Sequence, residues 1–102
     1  MTSEFVHLHN HSDYSLLDGA QRVDQLVNTI DDLNMDSLAL TEHGNMFSVI
    51  PFYKNAKKQG IKPIIGCETY VAVGSRHDKK QIAGGGWGNN HLILLAQNQI
   101  GY

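Results

Sequence analysis

The sequence predicts an α/β fold of parallel strands with helices outside. Two observations carry that prediction. Short apolar runs alternate with segments of helical period, joined by short links, which is the pattern of βαβ units. Residue types that bind metals or move protons sit where those runs end. In βα folds, functional groups gather at the carboxyl ends of the strands.

The elements follow in order. Glu4 to Asn10 reads as a short strand. Asp13 to Gly19 reads as a loop, with Asp18-Gly19 as its turn signal. From Val23 the period changes: Val23, Leu26, Val27, Ile30 and Leu33 form one apolar helical face, which Asn34 ends. Ser37 to Thr41 is a short apolar run and reads as a buried strand. A second helix is predicted from Met46 to Gln59, with Phe47, Ile50, Tyr53 and Ala56 or Lys57 facing inward. Lys54, Lys57 and Lys58 suit the negative end of its dipole, and Gly60 suits its stop. Pro51 is compatible only with a start near Ser48 or a kink. Lys62 to Val73 is the third strand region, and its second half alternates and outlives the sheet. Gly74 to Asn90 is polar and glycine-rich, read as a flexible excursion or a hairpin. His91 to Ala96 is a fourth apolar strand, and Gln97 to Tyr102 begins a loop or a helix. Four parallel strands with so few helices leave apolar faces bare, so a fragment of a larger α/β domain or βα barrel is expected.

Composition narrows the function. The 102 residues make at most one small domain. Net charge is −2, with eight Lys and Arg against ten Asp and Glu, which weighs against tight DNA binding by this segment alone. Cys67 stands alone, so no internal disulfide forms, as suits a cytoplasmic setting. Charged and polar residues interrupt the start where a signal peptide would be apolar, and no run is long enough to span a membrane.

The candidate site residues come from several strands. His7, His9 and His11 fall at every second position, so a regular strand would place them on one face. Three imidazoles in a row splay too far to share one ion, so one is expected to support the others. Glu42 and His43 end the second strand, Glu68 lies in the third, His91 opens the fourth, and Asp18 lies in the first loop. His91 is the exception, since it begins its strand. Glu68 interrupts an apolar run, and a buried carboxylate needs a partner or a cation. Each of these residues also has an ordinary structural use: Asp18 as a turn residue, Glu42 as a solvated loop acid, His77 as a surface residue, Cys67 as a small apolar filler. Trp87 either anchors its loop or meets a partner. Together, the His, Asp and Glu donors suit divalent ions such as Zn²⁺ or Mn²⁺. Such ions activate water and clamp a phosphoryl oxygen, which points to metal-dependent phosphoester hydrolysis.

These motifs resemble a known family. His9-Asn10-His11-Ser12, Asp18, Thr41-Glu42-His43-Gly44, Gly66-Cys67-Glu68 and His91-Leu92-Ile93-Leu94-Leu95-Ala96 resemble the successive motifs of the PHP domain (polymerase and histidinol phosphatase). Phe5 to Gly19, Lys62 to Val71 and Asn98 to Tyr102 are similar to the branch at the N-terminus of bacterial DNA polymerase III alpha subunits. The resemblance implies the first half of a distorted (βα)7 barrel, with residues 1–102 as the N-terminal part of a PHP domain. It implies a cluster of two or three divalent metals. His9, His11, Asp18, His43, Glu68 and His91 map to ligand positions, with His7 and Glu42 as supports. Zn²⁺ or Mn²⁺ is implied for this site, and Mg²⁺ for a parent polymerase. The implied partners are the rest of the alpha chain, DNA, a proofreading exonuclease subunit and a sliding clamp, with no membrane. The implied activity is DNA-directed DNA synthesis by the parent and 3′–5′ exonuclease or phosphoesterase action by the PHP domain. The isolated segment is expected to be inactive. Two rivals are a structural domain that supports the polymerase and docks the proofreading subunit, and a stand-alone phosphatase such as a histidinol-phosphate phosphatase.

Overall fold

The computed structural model describes residues 4–78 and 89–102. A 3-10 helix, Asp13–Asp18, leads into helix α1, Val23–Asp32. Strand β1, Ser37–His43, helix α2, Val49–Lys58, and strand β2, Lys62–Ala72, complete one βαβ unit. Strand β3, Asn89–Leu95, closes a three-stranded sheet of order β1-β2-β3.

Both helices stop as their sequences require. Asn34 and Gly60 take φ of 56° and 75°, the left-handed region in which a helix turns off. The next amides reach back across the cap: Met35 N–H donates to Ile30 C=O at 3.0 Å, and Ile61 N–H to Ala56 C=O at 2.9 Å. That geometry drops Met35 and Ile61 into the core. There they join Val23, Leu26, Val27 and Ile30 of α1, Leu38 and Leu40 of β1, and Phe52 and Ala56 of α2. Full burial of a side chain like Phe52 stabilises by roughly 2 to 3 kcal/mol.

The structure corrects four expectations. First, the sheet is mixed rather than parallel: β1 pairs β2 parallel, but β2 pairs β3 antiparallel. Strand β2 runs four residues past its last pair with β1, and β3 pairs antiparallel with that end, an arrangement that does not require a crossover helix. Second, Glu4 to Asn10 is not a regular strand. Ala39 N–H donates to His7 C=O and Thr41 N–H to Asn10 C=O, so three residues of the first segment span two of β1. That extra residue breaks the pairing as a bulge does. Asn10 repairs the gap: its side-chain amide donates to Ala39 C=O at 3.0 Å, and its backbone N–H donates to Thr41 Oγ1 at 3.1 Å. Third, the buried face of α2 carries Ser48, Phe52 and Ala56, while Phe47, Ile50 and Tyr53 are exposed. Both rows fit a helical period, and a serine hydroxyl with an inward acceptor decides the phase. Pro51 is harmless because α2 starts at Val49, leaving it in the first turn where no intrahelical partner is lost. Fourth, Leu33 is a solvent-exposed cap rather than core.

The predicted glycine-rich excursion falls largely on residues 79–88, outside the described residues, as does Trp87. His77 is exposed, and so are Lys54, Lys57 and Lys58. Asn98 Oδ1 accepts from Ile100 and Gly101 N–H, so the predicted loop forms a capped turn. Among the described residues, no helix is long and apolar enough to cross a membrane.

Candidate metal centre

The register explains how scattered ligand-type residues meet. His43 lies beside Glu68 on neighbouring parallel strands, and paired positions share a face. In the antiparallel pair, His91 lies across from Tyr70, two residues beyond Glu68. A residue at the start of β3 therefore reaches the end of the sheet where β1 finishes. That removes the sequence-level puzzle of His91.

Glu68 is the hub. It is 6% exposed and takes three imidazoles. His9 Nε2 lies 3.0 Å from Oε2, His11 Nε2 contacts the same oxygen, and His91 Nδ1 lies 2.7 Å from Oε1. Asp18 is a second, more open hub. Its Oδ2 lies 2.8 Å from His11 Nδ1 and 2.5 Å from His43 Nδ1. His11 thus bridges the two carboxylates with both ring nitrogens. The six predicted ligand residues, His9, His11, Asp18, His43, Glu68 and His91, form one connected cluster. His7 stays outside it, with its ring edge-on to Phe5 at 4.8 Å.

Electrostatics follow from these contacts. Burial alone would raise the Glu68 carboxyl, but hydrogen bonds from His9, His91 and His11 outweigh it and hold it down at about 2. The hydrogen bond from His43, helped by His11, lowers the Asp18 carboxyl against a smaller desolvation effect. Burial pushes the Cys67 thiol up, and Glu68 and Glu42 add to the shift. Cys67 Sγ lies 3.6 Å from Glu42 C=O, so this thiol is a poor nucleophile.

The donor set fits a divalent cation. One atom each from His11, Asp18, His43 and Glu68 lies within 4.8 Å of the other three. A neutral imidazole has one N–H, yet His11 turns both nitrogens to carboxylate oxygens. Such a ring either carries both protons or offers a lone pair to a cation. Mixed imidazole and carboxylate donors suit Zn²⁺ or Mn²⁺. An open groove lined by His9, Asn10, His11, Asp18, Gly19, Ala20 and Gln21 gives access.

Sequence reasoning named Glu42 as a support but missed the serines that latch it beneath the site. Glu42 is 1% exposed, on the helix-covered face of the sheet. Ser12 Oγ and Ser15 Oγ both donate to its carboxylate, as does Ser48 Oγ at 2.8 Å. Ser12 N–H lies 3.1 and 3.2 Å from its two oxygens. Ser15 Oγ also accepts from His43 N–H at 2.9 Å. The latch ties the turn between His11 and Asp18 to the strand end bearing His43 and to the start of α2. The turn itself is tight: a Cβ at Gly19 would collide with the Ser12 carbonyl.

The sequence and the fold are similar to those of known proteins. Residues 7–102 match the profile of the PHP domain. The chain belongs to the PHP domain family. It is 55% identical over 100 residues to the DNA polymerase III subunit alpha of Borreliella burgdorferi, covering 98% of this chain and 9% of that protein. It is 53% identical over 98 residues to the same-named protein of Treponema pallidum, covering 96% of this chain and 8% of that one. For Thermus aquaticus the identity is 46% over 101 residues, with 97% and 8% covered. The chain therefore spans less than a tenth of these relatives. In fold it is similar to an amidohydrolase from Chromobacterium violaceum solved with bound sulfate and no metal, at a TM-score of 0.60 and 22% identity, covering 89% of this chain and 26% of that one.

Proposed function

We propose that residues 1–102 form the N-terminal part of the PHP domain of a bacterial DNA polymerase III alpha subunit. In this reading the barrel is completed by further strands, and the domain hydrolyses phosphoesters as a 3′–5′ exonuclease. The parent is a DNA-directed DNA polymerase of the cytoplasm using Mg²⁺, with DNA, a proofreading subunit and a sliding clamp as partners. The observation that carries the reading is the convergence of His9, His11, Asp18, His43, Glu68 and His91 on one cluster.

Zn²⁺ or Mn²⁺ held there supplies a polarised phosphoryl oxygen and an activated water. The protein's own residues do the rest. Glu68 and Asp18 hold negative charge at the cluster and draw the imidazoles inward. Burial keeps Glu68 from taking other partners. The latch at Glu42 holds the Asp18 turn in place. The groove beside His9 and Gln21 admits a single-stranded end. This segment alone is expected to be inactive, because the cluster lies open on one side.

The test is single-strand 3′ degradation by the full-length chain with Mn²⁺ or Zn²⁺, comparing wild type with His9→Ala and His11→Ala. Loss of degradation in both variants supports the reading, and equal degradation by all three sinks it. Exposed Ile50 and Tyr53 on α2, with Phe47 just before it, favour a second reading, a domain that docks a partner and uses metal only for stability. Stabilisation by metal with no hydrolysis would support that one. Identities of 55% and 53% to proteins named DNA polymerase III subunit alpha weigh against a stand-alone phosphatase.

A further inference from the structure

Tyr70 borders the cluster, and nothing above uses it. Alternation along β2 puts it on the face of Glu68, and the register puts it across from His91. Its ring lies 5.3 Å from that of His43, tilted by 42°. It lies 5.2 Å from that of His91, at 90°. His43 and His91 are themselves 4.9 Å apart. The three rings close a triangle, one from each strand.

Gly44 makes room for it. A Cβ at Gly44 would fall 2.7 Å from Tyr70 Cε2, and φ there is +68°, which a larger residue adopts only with strain. Gly44 N–H donates to Glu68 C=O at 2.8 Å, which fixes the notch against β2. The Tyr70 hydroxyl meets no hydrogen-bond partner among the described residues, so the ring makes the contacts.

His91 needs such a contact. It sits on β3, which among the described residues pairs only with β2, and its side chain is 42% exposed. Among the described residues its side chain meets one hydrogen-bond partner, Glu68, and two rings, His43 and Tyr70. Tyr70 is the one of these three that is not itself in the ligand set, so it can hold the ring without competing for a cation. We propose that Tyr70 is a positioning residue: seated in the notch at Gly44, its ring fixes the His43 and His91 imidazoles so that they face Asp18 and Glu68. The proposal rests on the metal-centre reading only for its effect on metal affinity.

The test uses the full-length chain and three variants, Tyr70→Ala, Tyr70→Phe and Val71→Ala, the last altering the opposite face of β2. With histidine ring carbons labelled, the metal-free protein should show ring-current shifts at His43 and His91. Tyr70→Ala should remove the part due to Tyr70 and also change the shift that the His43 and His91 rings, 4.9 Å apart, induce in each other, while Tyr70→Phe and Val71→Ala keep the wild-type pattern. By calorimetry, Tyr70→Ala should bind Mn²⁺ or Zn²⁺ about 10-fold more weakly, with Tyr70→Phe close to wild type. Unchanged shifts in Tyr70→Ala, or the same losses in Val71→Ala, overturn the proposal. So does failure of Tyr70→Phe to rescue. If the wild type binds neither ion, the metal-centre reading fails, and the ring shifts still decide the role of Tyr70.

Discussion

Glu42 and Glu68 are buried carboxylates on adjacent strands, one residue out of register and on opposite faces of the sheet. Glu42 is surrounded by serine hydroxyls and a backbone amide, Glu68 by imidazoles. The difference separates two uses of a buried charge. Hydroxyls and amides donate hydrogen bonds to the carboxylate and keep their protons throughout the ordinary pH range, so Glu42 is a fixed tie. Imidazoles can exchange a proton for a cation, so the shell of Glu68 can be rebuilt around a metal.

Glu42→Ala is expected to be the most damaging change. It leaves three hydroxyls and an amide without their acceptor, at a cost of about 3 kcal/mol or more. Chemical denaturation of the full-length chain measures it, and a midpoint like the wild type's would break the contrast between the two sites. Glu68→Gln should act on binding instead. We expect metal affinity to fall on the order of 100-fold, equivalent to about 2.7 kcal/mol. Chelation, which should destabilise the metal-loaded wild type, should barely alter this variant's melt.

Acid should find Glu68 as well. Its carboxyl is lower in the folded chain than its ordinary value of 4.5, so the folded state binds fewer protons. The associated stability is present above about 4.5 and is lost as pH falls toward 2, amounting to roughly 3 kcal/mol. Metal-free wild type should lose that increment on acid titration while Glu68→Gln does not; parallel curves would sink the assignment. Smallest is Ser48→Ala, which removes one hydroxyl from Glu42 and should cost about 1 kcal/mol in the same denaturation.

The sequence carried the cluster better than its foundation. Asn34 and Gly60 announced both helix ends because left-handed residues are few in kind. Glu68 announced itself as a charge within an apolar strand. Ser12, Ser15 and Ser48 gave no such signal, since serine is at home in any loop. The usable clue was Glu42 itself: an acid continuing the buried run of β1 needs donors, and these serines stand on the flanking turns. The phase of α2 was hidden for the same reason, because a serine facing inward makes sense only once its acceptor is known. The direction of β3 was hidden because apolar runs look alike both ways. The alternating second half of β2 and the hairpin reading of the link pointed to the answer. The extra residue in the first segment lies below what periodicity resolves.

The antiparallel pairing of β3 has an evolutionary consequence. A strand that returns beside its predecessor is placed by its ladder, not by the span of the link before it. Seven ladder pairs, from Gly66 with Leu95 to Ala72 with Asn89, set that register independently of the link. Insertions there would leave His91 opposite Tyr70, so lineages could vary that link while inheriting the cluster intact.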